Sequence, residues 1–106
     1  MQVCRVIGSV VSTIKAEKLS GKKLLIVQPV NMRTIEQTGN PIVAVDAVGS
    51  GEGEIVMIVS GSSARQTEVT NGAPVDATIV GIIDYIDIEG EVTFDKQKGG
   101  VSSEDN

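Results

Sequence analysis

Two segments, 54–60 (EIVMIVS) and 77–88 (ATIVGIIDYIDI), are apolar on both sides when each is drawn as an extended strand. Alternate residues of a strand point to opposite sides of a sheet. In the second segment one side carries Ile79, Ile83 and Tyr85, and the other carries Val80, Ile82, Ile86 and Ile88. Strands of this kind need cover on both sides, which larger proteins supply with helices.

The composition of the whole chain favours strands over helices. Among its 106 residues are sixteen Val and twelve Ile, against three Leu and six Ala. β-branched side chains are stiff at their first torsion and suit a pleated surface better than a helix. A chain of this length forms one domain with a core that needs no disulfides. We therefore predict a single all-β domain.

Turn residues divide the chain into six predicted strands and their connections. The strands are predicted at residues 2–14, 23–30, 41–48, 54–60, 77–88 and 91–95. A turn with Gly49, Gly51 and Gly53 joins the third strand to the fourth, and one short helix is expected after the fourth strand, where serines cap free amides. The domain then covers residues 1–95, and the Gly-, Ser- and charge-rich residues 96–106 form a flexible tail.

With almost no helix to cover the second side of the sheet, the economical fold is a small closed barrel of five to six strands. Another copy of the chain would then cover the remaining apolar side. This predicts an obligate homo-oligomer, and a monomeric sandwich with local apolar runs is the alternative. A small closed barrel also brings the oligonucleotide-binding fold into consideration.

Several classes of chemistry are excluded by residues that the chain lacks. It contains no His and one Cys, Cys4, so Ser-His and Cys-His nucleophile pairs, the usual zinc sites and an intrachain disulfide are excluded. We expect Cys4 to be a small core residue and the compartment to be reducing. The net charge of −5 disfavours nucleic-acid and anionic-membrane partners. No signal-peptide or membrane-spanning pattern is evident, so we expect a cytoplasmic protein without cofactor or metal.

Two motifs resemble functional sites but have structural interpretations. The glycines of residues 49–53 resemble a phosphate-binding loop, but a strand follows and Glu52 and Glu54 would repel phosphate, so a hairpin turn is favoured. The acidic residues Asp84, Asp87, Glu89 and Glu91 match no calcium loop, and a solvated rim is the better interpretation. A binding module for a small ligand or single-stranded nucleic acid, and more remotely an enzyme using carboxylates, remain alternatives.

Several segments together resemble the EutN/CcmL family, the pentameric vertex proteins of bacterial microcompartments. The segments are 6–13 (VIGSVVST) with 23–28 (KLLIVQ), then 45–54 (VDAVGSGEGE) with 61–65 (GSSAR), and finally 74–84 (PVDATIVGIID). They occur in the family's order and spacing, and the resemblance covers nearly the whole chain except its tail.

The resemblance implies a barrel related to the oligonucleotide-binding fold that assembles as a homopentamer. Family members close the corners of polyhedral shells built mainly from hexameric shell proteins, and no catalytic residues are known for them. The implied location is therefore the shell of a microcompartment in the cytoplasm. Because a turn of small residues permits close backbone approach, we place Gly61, Ser62, Ser63, Ala64 and Arg65 near the subunit boundary or the ring axis.

Overall fold

The computed structural model of the protein describes residues 1–11, 21–61 and 76–98, most of which lie in strands. The strands are β1 (Gln2–Ser9), β2 (Leu24–Pro29), β3 (Ile42–Asp46), β4 (Ile55–Ser60), β5 (Ala77–Ile82), β6 (Tyr85–Ile88) and β7 (Glu91–Asp95). One turn of 3₁₀ helix follows at Lys96–Lys98. The rest of the predicted tail, residues 99–106, lies outside the described residues.

Five of the strands close into a barrel in the order β1-β2-β3-β5-β4. Neighbouring strands are antiparallel except β3 and β5, which run parallel and pair through Val45 with Thr78 and Asp46 with Ile79. The predicted all-β fold with a closed barrel is therefore confirmed. The short helix predicted after the fourth strand falls on residues that, beyond Gly61, the structure does not describe.

The interior of the barrel is filled by one side of every barrel strand, as the period of two requires. The buried residues of this cluster are Cys4, Val6, Leu25, Val27, Ala44, Val56, Ile58, Ala77 and Ile79. A bulge interrupts β1, because the register between β1 and β2 shifts between Val6 and Gly8. A second shift lies between β4 and β5, at Met57 and Ile58.

The predicted fifth strand, residues 77–88, is wrong as one continuous element. It breaks at Ile83 and Asp84, and residues 85–88 pair with β7 in a separate two-stranded sheet. The Ile83 amide donates a last hydrogen bond to the Ile55 carbonyl at 2.8 Å, and the Lys96 amide donates to the Asp84 carbonyl at 2.8 Å. These bonds end the barrel strand and start the hairpin, so the six predicted strands become seven.

The β6–β7 hairpin covers part of the outer side of the barrel. Its Phe94 is buried in a second cluster with Ile55 of β4 and Ile35, and Val3, Ile83 and Ile86 pack against this cluster. The outer side of Ile55 is therefore covered by the chain itself. The expectation that another copy must cover the whole second side of the sheet is wrong for this part of β4.

A polar loop closes the second cluster from the other direction. Asn31 accepts hydrogen bonds at its Oδ1 from the amides of Arg33 at 2.7 Å and Thr34 at 3.2 Å. The Thr93 hydroxyl of β7 donates to the Met32 carbonyl at 2.6 Å. Ile35 is held at φ 59°, a conformation that β-branched residues rarely adopt, and its burial beside Phe94 offsets that strain.

Candidate assembly surface

Gly61 stands at the end of β4, beside an open pocket between the ends of three strands. Its φ is 66°, which favours glycine, and its amide donates to the Asp76 carbonyl at 3.0 Å. The pocket has a volume of about 590 Å³ and is lined by Ile42, Val43, Ser60, Gly61, Asp76 and Ala77. Of the residues placed at the subunit boundary, Ser62, Ser63, Ala64 and Arg65 lie outside the described residues.

The glycines of residues 49–53 lie in the connection between β3 and β4. Gly49 and Gly53 have φ values of 80° and 92°, which only glycine adopts without strain. The Gly51 amide donates to Oε1 of Glu54 at 2.8 Å. Where a phosphate-binding loop would direct its amides to a ligand, this amide is already bound by a carboxylate of the same turn.

A buried carboxylate holds the start of the same connection. Oδ1 of Asp46 accepts hydrogen bonds from the Ser50 hydroxyl at 2.9 Å and from the amides of Ser50 and Val48, each at 3.2 Å. Its Oδ2 lies 3.6 Å from Nζ of Lys23, which also donates to the Ser50 carbonyl. The sequence analysis did not identify this residue. The signal it leaves in the sequence is an acid at the end of an apolar strand with a serine four residues later.

Burial and hydrogen bonding shift the pKa of the Asp46 carboxyl in opposite directions. Burial of the side chain, which is 2% exposed, would by itself raise the pKa of the carboxyl. The bonds from Ser50 and Val48, with the positive charge of Lys23, outweigh burial and hold the pKa below its usual value of 3.8. Asp46 is therefore an ionised structural anchor at neutral pH, with its acceptor oxygen fully used inside the protein.

The acidic residues predicted to form a rim lie on the β6–β7 hairpin and its turns. Asp84, Asp87, Glu89 and Glu91 are all exposed. Glu89 pairs with Arg33 at 3.1 Å, and the Gly90 amide donates to Oδ1 of Asp87 at 3.1 Å. Within residues 1–11, 21–61 and 76–98, no three potential ligands gather to hold a metal ion. These carboxylates form a solvated, negatively charged edge.

The two aromatic residues of the chain differ completely in exposure. Phe94 of β7 is buried between the hairpin and the barrel, whereas Tyr85 is 62% exposed among the acidic residues. Proteins that bind single-stranded nucleic acid stack bases on aromatic side chains in a positively charged groove. A lone exposed tyrosine beside Asp84 and Asp87 does not meet that requirement, so the geometry gives no support to the alternative of a nucleic-acid module.

The single thiol of the chain is part of the core. Cys4 is fully buried inside the barrel among Val6, Val27 and Val56. Burial raises the pKa of its thiol to about 11, so the reactive thiolate is scarce at neutral pH. The prediction that Cys4 is a core residue is confirmed.

Two patches on the outer side of the barrel consist of apolar residues and glycine. The first, here called the Val43 face, comprises Ile7, Gly8, Ile26 and Val43 on β1, β2 and β3. The second, the Met57 face, comprises Met57, Val80 and Gly81 on β4 and β5. Val43 is 48% exposed and Ile7 41%, and the members of the Met57 face are half-buried. The sequence analysis predicted uncovered apolar sides but did not locate these two patches.

No helix in the part of the chain that the structure describes is long and apolar enough to cross a membrane.

Comparison with known families gives a match along most of the chain. A family model described as "Ethanolamine utilisation protein EutN/carboxysome" matches residues 1–84. The shell vertex protein GrpN of Rhodospirillum rubrum is 47% identical over 87 residues, which are 82% of this chain and 97% of that protein. The shell vertex protein EutN of Escherichia coli K12 is 40% identical over 100 residues, which are 91% of this chain and 100% of that protein.

Solved structures agree with this match. A carboxysome subunit, CcmL, superposes with a TM-score of 0.84 at 38% identity, covering 91% of this chain and 99% of that chain. The GrpN structure from Rhodospirillum rubrum, titled a pentameric microcompartment shell protein, superposes with a TM-score of 0.75 at 45% identity, covering 83% and 99%. The chain belongs to the EutN/CcmL family.

Proposed function

We propose that this chain is a structural shell protein that forms pentamers and caps the vertices of a polyhedral bacterial microcompartment. The observation that carries the proposal is the completeness of the match. Relatives named shell vertex proteins are covered over 97% and 100% of their own length, so the whole unit that they use is present in this chain. One solved relative is titled pentameric.

Closure of a shell gives the pentamer its physical role. Hexagonal tiles form flat sheets, and five-fold units inserted among them supply the curvature that a closed container needs. Identical head-to-tail contacts close into a ring only when the rotation between subunits divides the circle. The partners in this proposal are four further copies of the chain and the hexameric shell proteins around the vertex, and the location is the microcompartment shell in the cytoplasm.

The proposal includes no catalytic activity and no cofactor. The chain has no histidine, its thiol is buried with a raised pKa, and the buried carboxylate of Asp46 accepts three hydrogen bonds within the protein and lies beside Lys23. The exposed carboxylates of the hairpin lie on open surface, where a substrate would not be shielded from water. Support for the role as a shell component therefore comes from the side chains as well as from the relatives.

We also propose that Gly61, Ser62, Ser63, Ala64 and Arg65 lie at the subunit boundary or near the ring axis. Gly61 supports this placement, since it lies at the pocket that it shares with the exposed Val43. Ser63→Trp would introduce a large side chain there and should abolish the pentamer. Glu52→Trp, on the exposed turn before β4, is the matched control. A five-subunit mass for Ser63→Trp in native mass spectrometry would refute the placement.

Native mass spectrometry of the purified chain and co-assembly with hexameric shell proteins test the proposed function. We expect a mass of five subunits. Co-expression with hexameric shell proteins from the same organism should give closed particles in electron micrographs when this chain is present, and open sheets or tubes when it is omitted. A stable monomer at micromolar concentration, or equally closed particles without the chain, would contradict the proposal.

A further inference from the structure

An open groove separates the loop between β2 and β3 from the turn end of the β6–β7 hairpin. Its volume is about 650 Å³, and its lining residues are Val30, Asn31, Met32, Arg33, Thr38 and Ile88. We propose that this groove, here called the Met32 groove, binds a segment of a partner protein in which an aliphatic side chain lies next to lysine or arginine. The site goes beyond the proposed vertex role, because its hairpin wall follows residues 1–84, the segment that the family model matches.

Backbone hydrogen bonds fix the loop wall of the Met32 groove. The Asn31 amide donates to the Glu36 carbonyl at 2.8 Å, and the Thr38 amide donates to the Pro29 carbonyl at 2.9 Å. Both bonds close the loop on itself, so the backbone that carries Met32 is held in place before any partner binds.

Two contacts hold the hairpin wall opposite this loop. The Thr93 hydroxyl donates to the Met32 carbonyl at 2.6 Å, and Arg33 pairs with Glu89 at 3.1 Å. The first contact lies in the middle of β7 and the second at the turn between β6 and β7. Binding sites for small ligands are typically concave and largely formed before the ligand arrives. The Met32 groove meets this condition, because contacts within the chain hold both of its walls.

Three aliphatic side chains give the groove an apolar lining. Val30 is 8% exposed, Ile88 is half-buried and Met32 is 52% exposed. Ile86 packs against the second cluster, and Ile88, two residues further along β6, lies at the groove instead. Methionine is unbranched and adapts its shape to a partner surface. An aliphatic side chain of a partner would therefore contact apolar atoms from both walls.

The charges around the groove favour a basic partner. Arg33 is the cation of the lining, and its pairing with Glu89 neutralises it. Glu91 pairs with Ile88 across the hairpin, so the two side chains stand on the same side of the sheet with their Cβ atoms about 5 Å apart. Within the part of the chain that the structure describes, the Glu91 carboxylate has no ion-pair partner. A lysine or arginine beside the bound aliphatic side chain would supply that partner.

The test uses synthetic peptides and the full chain. The probe is a fluorescein-labelled peptide of sequence GKLKLKG, and its binding is followed by fluorescence anisotropy. We expect saturable binding, and binding about tenfold weaker or more for GELELEG, which is acidic, and for GKSKSKG, which has no aliphatic side chain. Equal affinity for GKLKLKG and either of the other peptides, or no saturable binding of GKLKLKG, would contradict the proposal.

Two pairs of substitutions at exposed residues locate the binding site. Met32→Ser removes apolar lining, and Val48→Ser, in the connection between β3 and β4, is its control. Glu91→Lys reverses the unpaired carboxylate, and Glu52→Lys, on the turn before β4, changes the net charge of the chain by the same amount. We expect the first variant of each pair to weaken binding of GKLKLKG about five- to tenfold, and the second to change it by less than about twofold.

Other outcomes of these experiments would overturn the inference. Equal affinities of Met32→Ser and Val48→Ser for GKLKLKG would place the binding site outside the groove. Loss of the five-subunit native mass in Met32→Ser, with Val48→Ser still pentameric, would mean that a second copy of the chain already fills the groove.

A cross-linking experiment locates the bound peptide directly. GKLKLKG with photo-leucine at both leucine positions should form covalent adducts within residues 30–38 or 88–91 on illumination, and adducts confined to other residues would refute the assignment. A monomeric wild-type chain that gives the expected adducts would remove the proposed vertex role and leave the Met32 groove as a binding site. A pentamer without these adducts would have the opposite meaning.

Discussion

Removal of the Asp46 carboxylate tests the buried hydrogen bonds that hold the connection between β3 and β4. Asp46→Ala would leave the amide and hydroxyl of the fully buried Ser50 without their acceptor. The third donor, the Val48 amide, belongs to an exposed residue and can turn to water. Hydrogen bonds to a charged group contribute about 1.5–3 kcal/mol each, so loss of the acceptor for the two Ser50 donors should lower the free energy of unfolding by about 3–6 kcal/mol.

The contribution of Lys23 to this loss is small. Its side chain is half-exposed and lies 3.6 Å from the carboxylate, so the ion pair is worth about 0–1 kcal/mol. Asp46→Asn keeps an acceptor oxygen in the same place but removes the charge, which roughly halves the strength of each bond. We therefore expect Asp46→Asn to lower the free energy of unfolding by about 1.5–3 kcal/mol, half of the loss expected for Asp46→Ala.

The assay is urea unfolding followed by far-ultraviolet circular dichroism at one fixed subunit concentration, because assembly adds a concentration-dependent term to stability. Asp87→Ala is the control, since this exposed carboxylate accepts one hydrogen bond from the nearby Gly90 amide and should cost less than about 1.5 kcal/mol. If Asp46→Ala loses no more free energy of unfolding than Asp87→Ala, the structural role assigned to the buried carboxylate is wrong.

Three further predictions follow from the core and from titration. Phe94→Ala should lower the free energy of unfolding by about 3–5 kcal/mol, and Tyr85→Ala by under about 0.5 kcal/mol, because only Phe94 is buried. Equal losses in the two variants would contradict the packing of Phe94 in the second cluster. Native Cys4 should resist a thiol reagent at pH 8 and react once the chain is unfolded, whereas rapid native labelling would refute its burial. The pKa of Asp46 is lower in the folded chain than its usual value, so the ionised carboxylate contributes fully to the free energy of unfolding well above pH 3.8. This contribution is lost as the pH falls through the folded pKa. The wild type and Asp46→Ala should therefore converge in stability on acidification.

The barrel could be predicted from the sequence because the chain is rich in β-branched residues and has almost no helix to cover strands that are apolar on both sides. The division of residues 77–88 into β5 and β6 could not, because apolar residues continue through Ile83 without interruption. The break is determined by bonds to distant residues, from the Ile83 amide to Ile55 and from the Lys96 amide to Asp84. Local patterns carry no information about such tertiary partners.

The buried residues that hold the loops in place could not be predicted from the sequence, for a related reason. Ile35 adopts a positive φ that sequence rules assign to glycine or asparagine, and it does so because its side chain is buried with Phe94. Gln28 is buried, although glutamine is usually exposed, because its side-chain amide donates to the Thr38 carbonyl at 2.9 Å. In contrast, the turn with Gly49 and Gly53 could be predicted from the sequence, because a positive φ favours glycine.

The hairpin explains why apolar strands on a small barrel need not lead to unlimited association. It covers Ile55 and the outer side of β4 next to it, so that part of the sheet is closed to other molecules. It also presents Asp84, Asp87 and Glu91 outwards, and like charges repel a second hairpin. Among the residues that the structure describes, the Val43 face and the Met57 face stay uncovered on the barrel, and single apolar side chains such as Met32 and Val48 are exposed elsewhere. Association through apolar surface is therefore favoured at the barrel and opposed by like charges at the hairpin.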